Sequence, residues 1–140
     1  MLNRNDIFMS KKIMKILGLG MDIVHVTRIT KIILRFNDLF AKKILTTNEI
    51  YQYYKCSNKK TYFLAKHFAA KEATVKALHT GFTKGIFFKH IELNHDKYGC
   101  PTIKLYNQAL HIIQTRKKYF ETHVTITDEK EYVSAIVIIL

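Results

Sequence analysis

The sequence predicts an α+β fold in which a mainly antiparallel sheet packs against one long and several short helices. Three observations carry that reading. A strand-like run opens the patterned part of the chain, a long helical run occupies its middle, and two strand-like runs about a tight charged turn close it. Strands and helices that do not strictly alternate favour antiparallel over parallel pairing. At 140 residues the chain fits one domain with one core.

Residues 1–14 are polar and mixed, and Met9 and Met14 are alternative starts, so this stretch reads as an N-terminal extension of unknown role. Residues 15–140 read as a single domain. From Lys15 the run ILGLGMDIVHV has the look of a buried strand. TRITKIILRF follows, with Ile29, Ile32, Ile33 and Phe36 at the spacing of an amphipathic helix. Thr46, Thr47 and Asn48 offer N-cap oxygens to a short helix, EIYQYYKC, and a long helix runs from about Thr61 to His79. IFFKHIELNHD and TIKLY read as two strands joined by DKYGCP, where Gly99 and Pro101 supply turn chemistry. NQALHIIQTRKK reads as a helix with Leu110 and Ile113 inward, and HVTITDEKEYVSAIVIIL as the closing pair of strands.

Composition narrows the class. Hydrophobic residues make up 48% of the chain, with one proline and five glycines, which is the balance of a folded protein rather than a disordered one. The net charge of +12, from 23 basic against 11 acidic residues, predicts attraction to a polyanion or an acidic protein. From Arg28 to Lys60 only Asp38 and Glu49 oppose eight basic residues, so this stretch is a candidate docking surface. Cys56 and Cys100 lack the spacing of a zinc site or a disulfide framework, and free thiols suit a reducing cytoplasm. No apolar run approaches the roughly 18 residues of a membrane span, and no secretory signal is evident.

Two acidic residues break the hydrophobic pattern. In the long helix Leu64, Phe68, Glu72, Val75 and His79 fall on one stripe, which sets a carboxylate amid apolar neighbours. Such a carboxylate must find a cation, take a proton or edge a cleft, unless it points out from the margin. Along the first strand, alternation puts Gly18, Gly20, Asp22 and Val24 on one face and Leu17, Leu19, Met21 and Ile23 on the other. The glycines clear space for a ligand or for a packed backbone. Two sparse carboxylates are the set with which Mg²⁺ is held beside phosphates. Lys76, four residues after Glu72, is placed to pair with it or to reach a phosphate.

GLGMDIVHVTRI at 18–29 and FAAKEATVKALHTG at 68–81 resemble the two signature blocks of the holo-acyl-carrier-protein synthases, small bacterial phosphopantetheinyl transferases. FLAKHF at 63–68, GCPTIKL at 99–105 and HVTITDE at 123–129 extend the likeness. The resemblance implies a 4′-phosphopantetheinyl transferase fold and a homotrimer with active sites at subunit boundaries. It implies transfer of 4′-phosphopantetheine from coenzyme A to a serine of apo-acyl carrier protein, for fatty acid biosynthesis. By the same resemblance Asp22 and Glu72 hold Mg²⁺, Lys76 works at the pyrophosphate, and Lys71, His123 and Thr125 lie around the nucleotide. Arg28 is similar to the family's contact to the acidic carrier helix. His25, Met21 and His79 depart from the family pattern, at positions where an acidic residue, a smaller or polar residue and a glycine are usual. A basic RNA-binding α+β protein is the alternative that the charge and aromatic content allow, but no RNP-like or GXXG segment is present.

Overall fold

The computed structural model describes residues 15–140, and the extension at 1–14 lies outside them. The order is β1 (Gly18–His25), α1 (Val26–Phe36), α2 (Leu39–Ile44), α3 (Thr47–Lys55), α4 (Lys60–Ala77), β2 (Ile91–His95), β3 (Pro101–Leu105), α5 (Asn107–Arg116), β4 (Thr122–Asp128) and β5 (Tyr132–Ile139). The α+β expectation holds, and every strand pairing is antiparallel. The sheet is split in two: β1-β5-β4 forms one and the hairpin β2-β3 the other. Thr122 Oγ1 donates to the Ile103 carbonyl across the seam between them at 2.9 Å.

The central element is α4. Leu64, Ala65, Ala69, Ala70, Ala73, Val75 and Ala77 are all buried, so the helix has no single apolar stripe but is enclosed on most sides. It lies across β1 and β5, with α1, α3 and β2 on its other flanks. The approach to β1 is close because of two glycines. A Cβ on Gly18 would fall 1.8 Å from the Ala77 carbonyl oxygen, and one on Gly20 would fall 1.9 Å from that of Ala73. The cleared strand face is therefore filled by the backbone of α4 and not by a ligand.

The strand is thus buried on one face and not on both. Its glycine-bearing face is the buried one, while Leu19, Met21 and Ile23 point outward and are 59%, 53% and 60% exposed. Their cross-strand partners on β5 are Ile138, Ile136 and Ser134, which in turn face His123, Thr125 and Thr127 of β4. The outer face of the three-stranded sheet is thus apolar at one edge and polar at the other.

Two local expectations change. The strand predicted from Ile86 begins only at Ile91, because Phe88–His90 forms a 3₁₀ turn that stacks Phe88 on Phe82 with centroids 3.8 Å apart. The short helix α2 is absent from the sequence reading. Its six residues hold too few periods to register. The short helix α3 begins as the threonines suggest: Thr46 Oγ1 accepts from Glu49 N–H, and Glu49 returns a bond to Thr46 N–H, a reciprocal cap.

Candidate active site

β1 and α4 bring Asp22, Glu72 and Lys76 together within one chain. Asp22 ends the glycine-cleared face of β1, and Ser134 Oγ donates to its backbone carbonyl at 3.0 Å, fixing the strand at that point. Lys76 Nζ donates to Asp22 Oδ1 at 2.8 Å and to the Met21 carbonyl at 2.9 Å. The lysine thus pairs with Asp22 rather than with Glu72, the partner that helical spacing suggested. Its side chain is half exposed while that of Asp22 is largely covered, so the pair sits at the lip of the site.

Glu72 is half-buried on the one partly open side of α4. Burial pushes its carboxyl above the ordinary range, the negative charge of Asp22 pushes it further, and Lys76 and Arg28 pull it back. A half-sheltered carboxylate whose charge is disfavoured by a neighbouring carboxylate is favourably placed to take a further cation beside Lys76. Among the described residues there is no group of three or more His, Cys, Asp or Glu side chains placed to hold a metal. Mg²⁺ needs no such group, because one or two carboxylates suffice when water and substrate phosphate complete its shell. The donor set therefore fits that ion. No third chain segment is needed to join Asp22 to Glu72.

Arg28 is exposed on the first turn of α1, three residues beyond the N-cap, on the side of α1 from which its charge reaches Glu72. The basic surface that it begins includes Lys31, Arg35, Lys42 and Lys43, all exposed.

Lys71 requires a correction. It neighbours Glu72 in sequence but points the other way, into the core, with no exposed surface. Its Nζ donates to Glu49 Oε2 at 2.6 Å, to the Ile44 carbonyl at 2.6 Å and to the Phe88 carbonyl at 3.2 Å, which uses all three of its hydrogens. Nothing is left with which to meet a nucleotide. Glu49 is equally engaged, accepting also from Thr46 N–H at 2.7 Å and Leu93 N–H at 2.8 Å. Burial drives the carboxyl of Glu49 up and the ammonium of Lys71 down, and their mutual attraction opposes both shifts. Beside them His67 Nδ1–H donates to the Phe63 carbonyl at 2.8 Å, and burial holds its pKa at about 3. This cluster ties α4 to α3 and β2. The T-x-x-E pattern of a reciprocal cap at Thr46–Glu49 was its one trace in the sequence.

His123 and Thr125 are exposed on the outer face of the sheet, whereas Asp22 faces α4 on the inner side. Within one chain they do not join the carboxylates. A separate cavity of about 450 Å³, lined by Asn58, Lys59, Tyr62, Lys66 and the β4–β5 turn, lies toward the start of α4, away from Lys76.

Comparison with known proteins gives consistent results. Residues 18–137 match the family described as the 4′-phosphopantetheinyl transferase superfamily. The holo-acyl-carrier-protein synthase of Wigglesworthia glossinidia brevipalpis is 43% identical over 129 residues, covering 89% of this chain and 92% of that protein. Among solved structures, the holo-acyl-carrier-protein synthase of Neisseria meningitidis superposes with a TM-score of 0.81 at 34% identity, over 90% of this chain and 99% of its own. That of Bacillus anthracis, in complex with CoA (3′,5′-ADP), gives a TM-score of 0.73 at 32% identity, over 89% of this chain and 96% of its own.

Proposed function

This chain belongs to the 4′-phosphopantetheinyl transferase superfamily, and from that premise we propose that it is a holo-acyl-carrier-protein synthase acting through Asp22, Glu72 and Lys76. It transfers 4′-phosphopantetheine from coenzyme A to a serine of apo-acyl carrier protein. The observation that carries the reading is the meeting of the two carboxylates and the lysine on the open side of α4.

The reaction is an in-line displacement. The serine oxygen forms a bond to the β-phosphorus of the coenzyme A pyrophosphate, the bond from that phosphorus to the bridging oxygen breaks, and adenosine 3′,5′-bisphosphate leaves. The serine proton passes to water, and the bridging oxygen departs on the α-phosphate of the adenosine 3′,5′-bisphosphate. Asp22 and Glu72 would hold Mg²⁺, which would supply positive charge to neutralise and orient the pyrophosphate. Lys76 stands at the lip with a half-exposed side chain, and turning from Asp22 to the phosphate places its ammonium against the developing negative charge. Arg28 and the basic stretch after it attract the acidic carrier and speed encounter.

The protein is a homotrimer in this reading. The uncovered apolar row Leu19, Met21, Ile23 on the outer face of the sheet supports it, since an exposed contiguous apolar patch marks an interaction surface. His123 and Thr125 share that outer face, and in the proposed trimer a coenzyme A cleft between copies would draw them to the carboxylates of a neighbouring chain. Residues 15–140 act as one transferase domain in the cytoplasm. No helix among the described residues is long and apolar enough to cross a membrane, and Cys56 and Cys100 are free thiols. Incubation with coenzyme A, Mg²⁺ and apo-carrier, followed by intact-mass measurement of the carrier, is expected to show the gain of one phosphopantetheine. An unmodified carrier at saturating substrate contradicts the reading.

A further inference from the structure

His25 joins two of the side chains on which the proposed reaction depends. It is the last residue of β1, three after Asp22, and the N-cap of α1, three before Arg28. Its backbone is extended, at φ −77° and ψ 120°, and its Nδ1 accepts a hydrogen bond from Thr27 N–H at 3.2 Å. The cap therefore uses the tautomer with its hydrogen on Nε2. The ring also packs edge-on against Tyr132, with centroids 4.8 Å apart and planes at 68°. Tyr132 is the residue opposite His25 at the end of the β1–β5 ladder, and just beyond it Val26 N–H donates to the Glu131 carbonyl at 2.8 Å.

Besides the core packing of Val24, Val26 and Ile29, the corner between strand and helix is thus held by one backbone bond and by two side-chain contacts made by the same imidazole. The first turn of α1 contains no acidic side chain, so the ring supplies what Asp or Glu commonly supplies at a helix start. Histidine is not a favoured N-cap residue. Its use here is understandable because an Asp or Ser cap of equal acceptor strength lacks a ring to lay on Tyr132.

We infer that His25 is a positioning residue for carrier docking: by capping α1 and packing on Tyr132 it fixes the angle at which α1 leaves β1, and with it the place of Arg28 beside the Asp22–Glu72 site. The inference rests on the reading of Arg28 as the carrier contact. Asp22 belongs to the strand side of the corner, which the β1–β5 ladder holds without help from the ring. Arg28 belongs to the helix side, whose first turn is anchored in the core by Val26 and Ile29 and capped at its start by the ring. Loss of the imidazole therefore acts on docking and spares the chemical step.

The test is steady-state kinetics of three His25 variants, of their double-variant partner and of Arg28→Ala as its reference, five in all, with carrier and coenzyme A varied separately. His25→Ala removes both contacts, His25→Asn keeps an N-cap acceptor, and His25→Phe keeps the ring without an acceptor. The expected result for His25→Ala is a rise in carrier KM of about fivefold, the effect of losing one helix cap, with kcat and coenzyme A KM within about twofold of the starting enzyme. His25→Asn and His25→Phe are expected to fall between the two. The fourth variant, Arg28→Ala combined with His25→Ala, is expected to show no further loss beyond Arg28→Ala, because His25 acts through Arg28. An unchanged carrier KM in folded His25→Ala, or equal losses in both substrates and kcat, overturns the inference. Should His25→Ala fail to fold, the Asn and Phe variants carry the comparison, and carrier KM unchanged in both overturns it. If the unsubstituted chain itself leaves the carrier unmodified, the transferase reading falls with it; if that chain is active and the variants match it, only the role of His25 falls.

Discussion

Glu72 is asked to carry a charge where burial and Asp22 both resist one. Its folded-state pKa is raised, so the fold binds the proton more tightly than the unfolded chain does, and ionisation of Glu72 works against stability as the pH rises through that pKa. Without metal, Glu72→Gln is therefore expected to melt higher than the unsubstituted protein at neutral pH, with the gap closing as the pH falls. Mg²⁺ should raise the melting temperature of the unsubstituted protein and leave that of Glu72→Gln unmoved. Thermal scans at several pH values with and without Mg²⁺ read both effects. An equal Mg²⁺ response in the two proteins removes Glu72 from the metal site. At this scale the sequence was informative about identity and poor about direction. Asp22 and Glu72 stood out because charge interrupts an apolar pattern, whereas Lys71 and Glu72 are adjacent and nothing in their order says which one faces the core. One hundred degrees of helical rotation sends the first to Glu49 and the second to the site.

At the scale of elements, the site exists because α4 lies nearly in contact with the backbone of β1. Gly20 permits that approach, and a methyl group there would meet the Ala73 carbonyl oxygen at 1.9 Å and the Ala77 nitrogen at 2.5 Å. Both are backbone atoms of a buried helix and cannot step aside alone. Gly20→Ala is expected to lose about 1–3 kcal/mol of stability by overpacking and to lose transfer beyond what unfolding explains, because α4 must lift away from Asp22. Denaturant melts and activity of the folded fraction measure the two separately; a stable, fully active Gly20→Ala excludes this account of the packing. The strands, α1, α3, α4 and α5 were legible from periodicity and cap residues, with bounds displaced by a residue or a few. The missing α2 and the overlong second strand have a common cause, since short segments hold too little periodicity to outweigh tertiary contacts such as the Phe82–Phe88 stack. The glycines of β1 announced a close approach, but alternation alone could not say whether a ligand or a helix occupied the space.

At the scale of the whole molecule, one face of a three-stranded sheet is left apolar at Leu19, Met21 and Ile23 while the opposite face is covered by α4. Met21→Glu sets a charge in the middle of that row without touching the inner side of β1. If the proposed trimer forms through this row, the substitution is expected to shift the protein from trimer to monomer in light scattering and to weaken coenzyme A binding, because the proposed intersubunit contacts of His123 and Thr125 are then lost. A monomeric unsubstituted protein contradicts the trimer. The basic stretch from Arg28 to Lys60 was visible in the sequence, and the fold adds that its first member, Arg28, lies near enough to Glu72 for its charge to act there. The claim that joins these scales is that Asp22 and Glu72 of the same chain form the working site. Intact-mass analysis of apo-carrier treated with Glu72→Gln, in parallel with the unsubstituted chain, addresses it most directly. The account predicts complete conversion by the unsubstituted chain and none by the folded variant, and conversion by Glu72→Gln at the unsubstituted rate would contradict it.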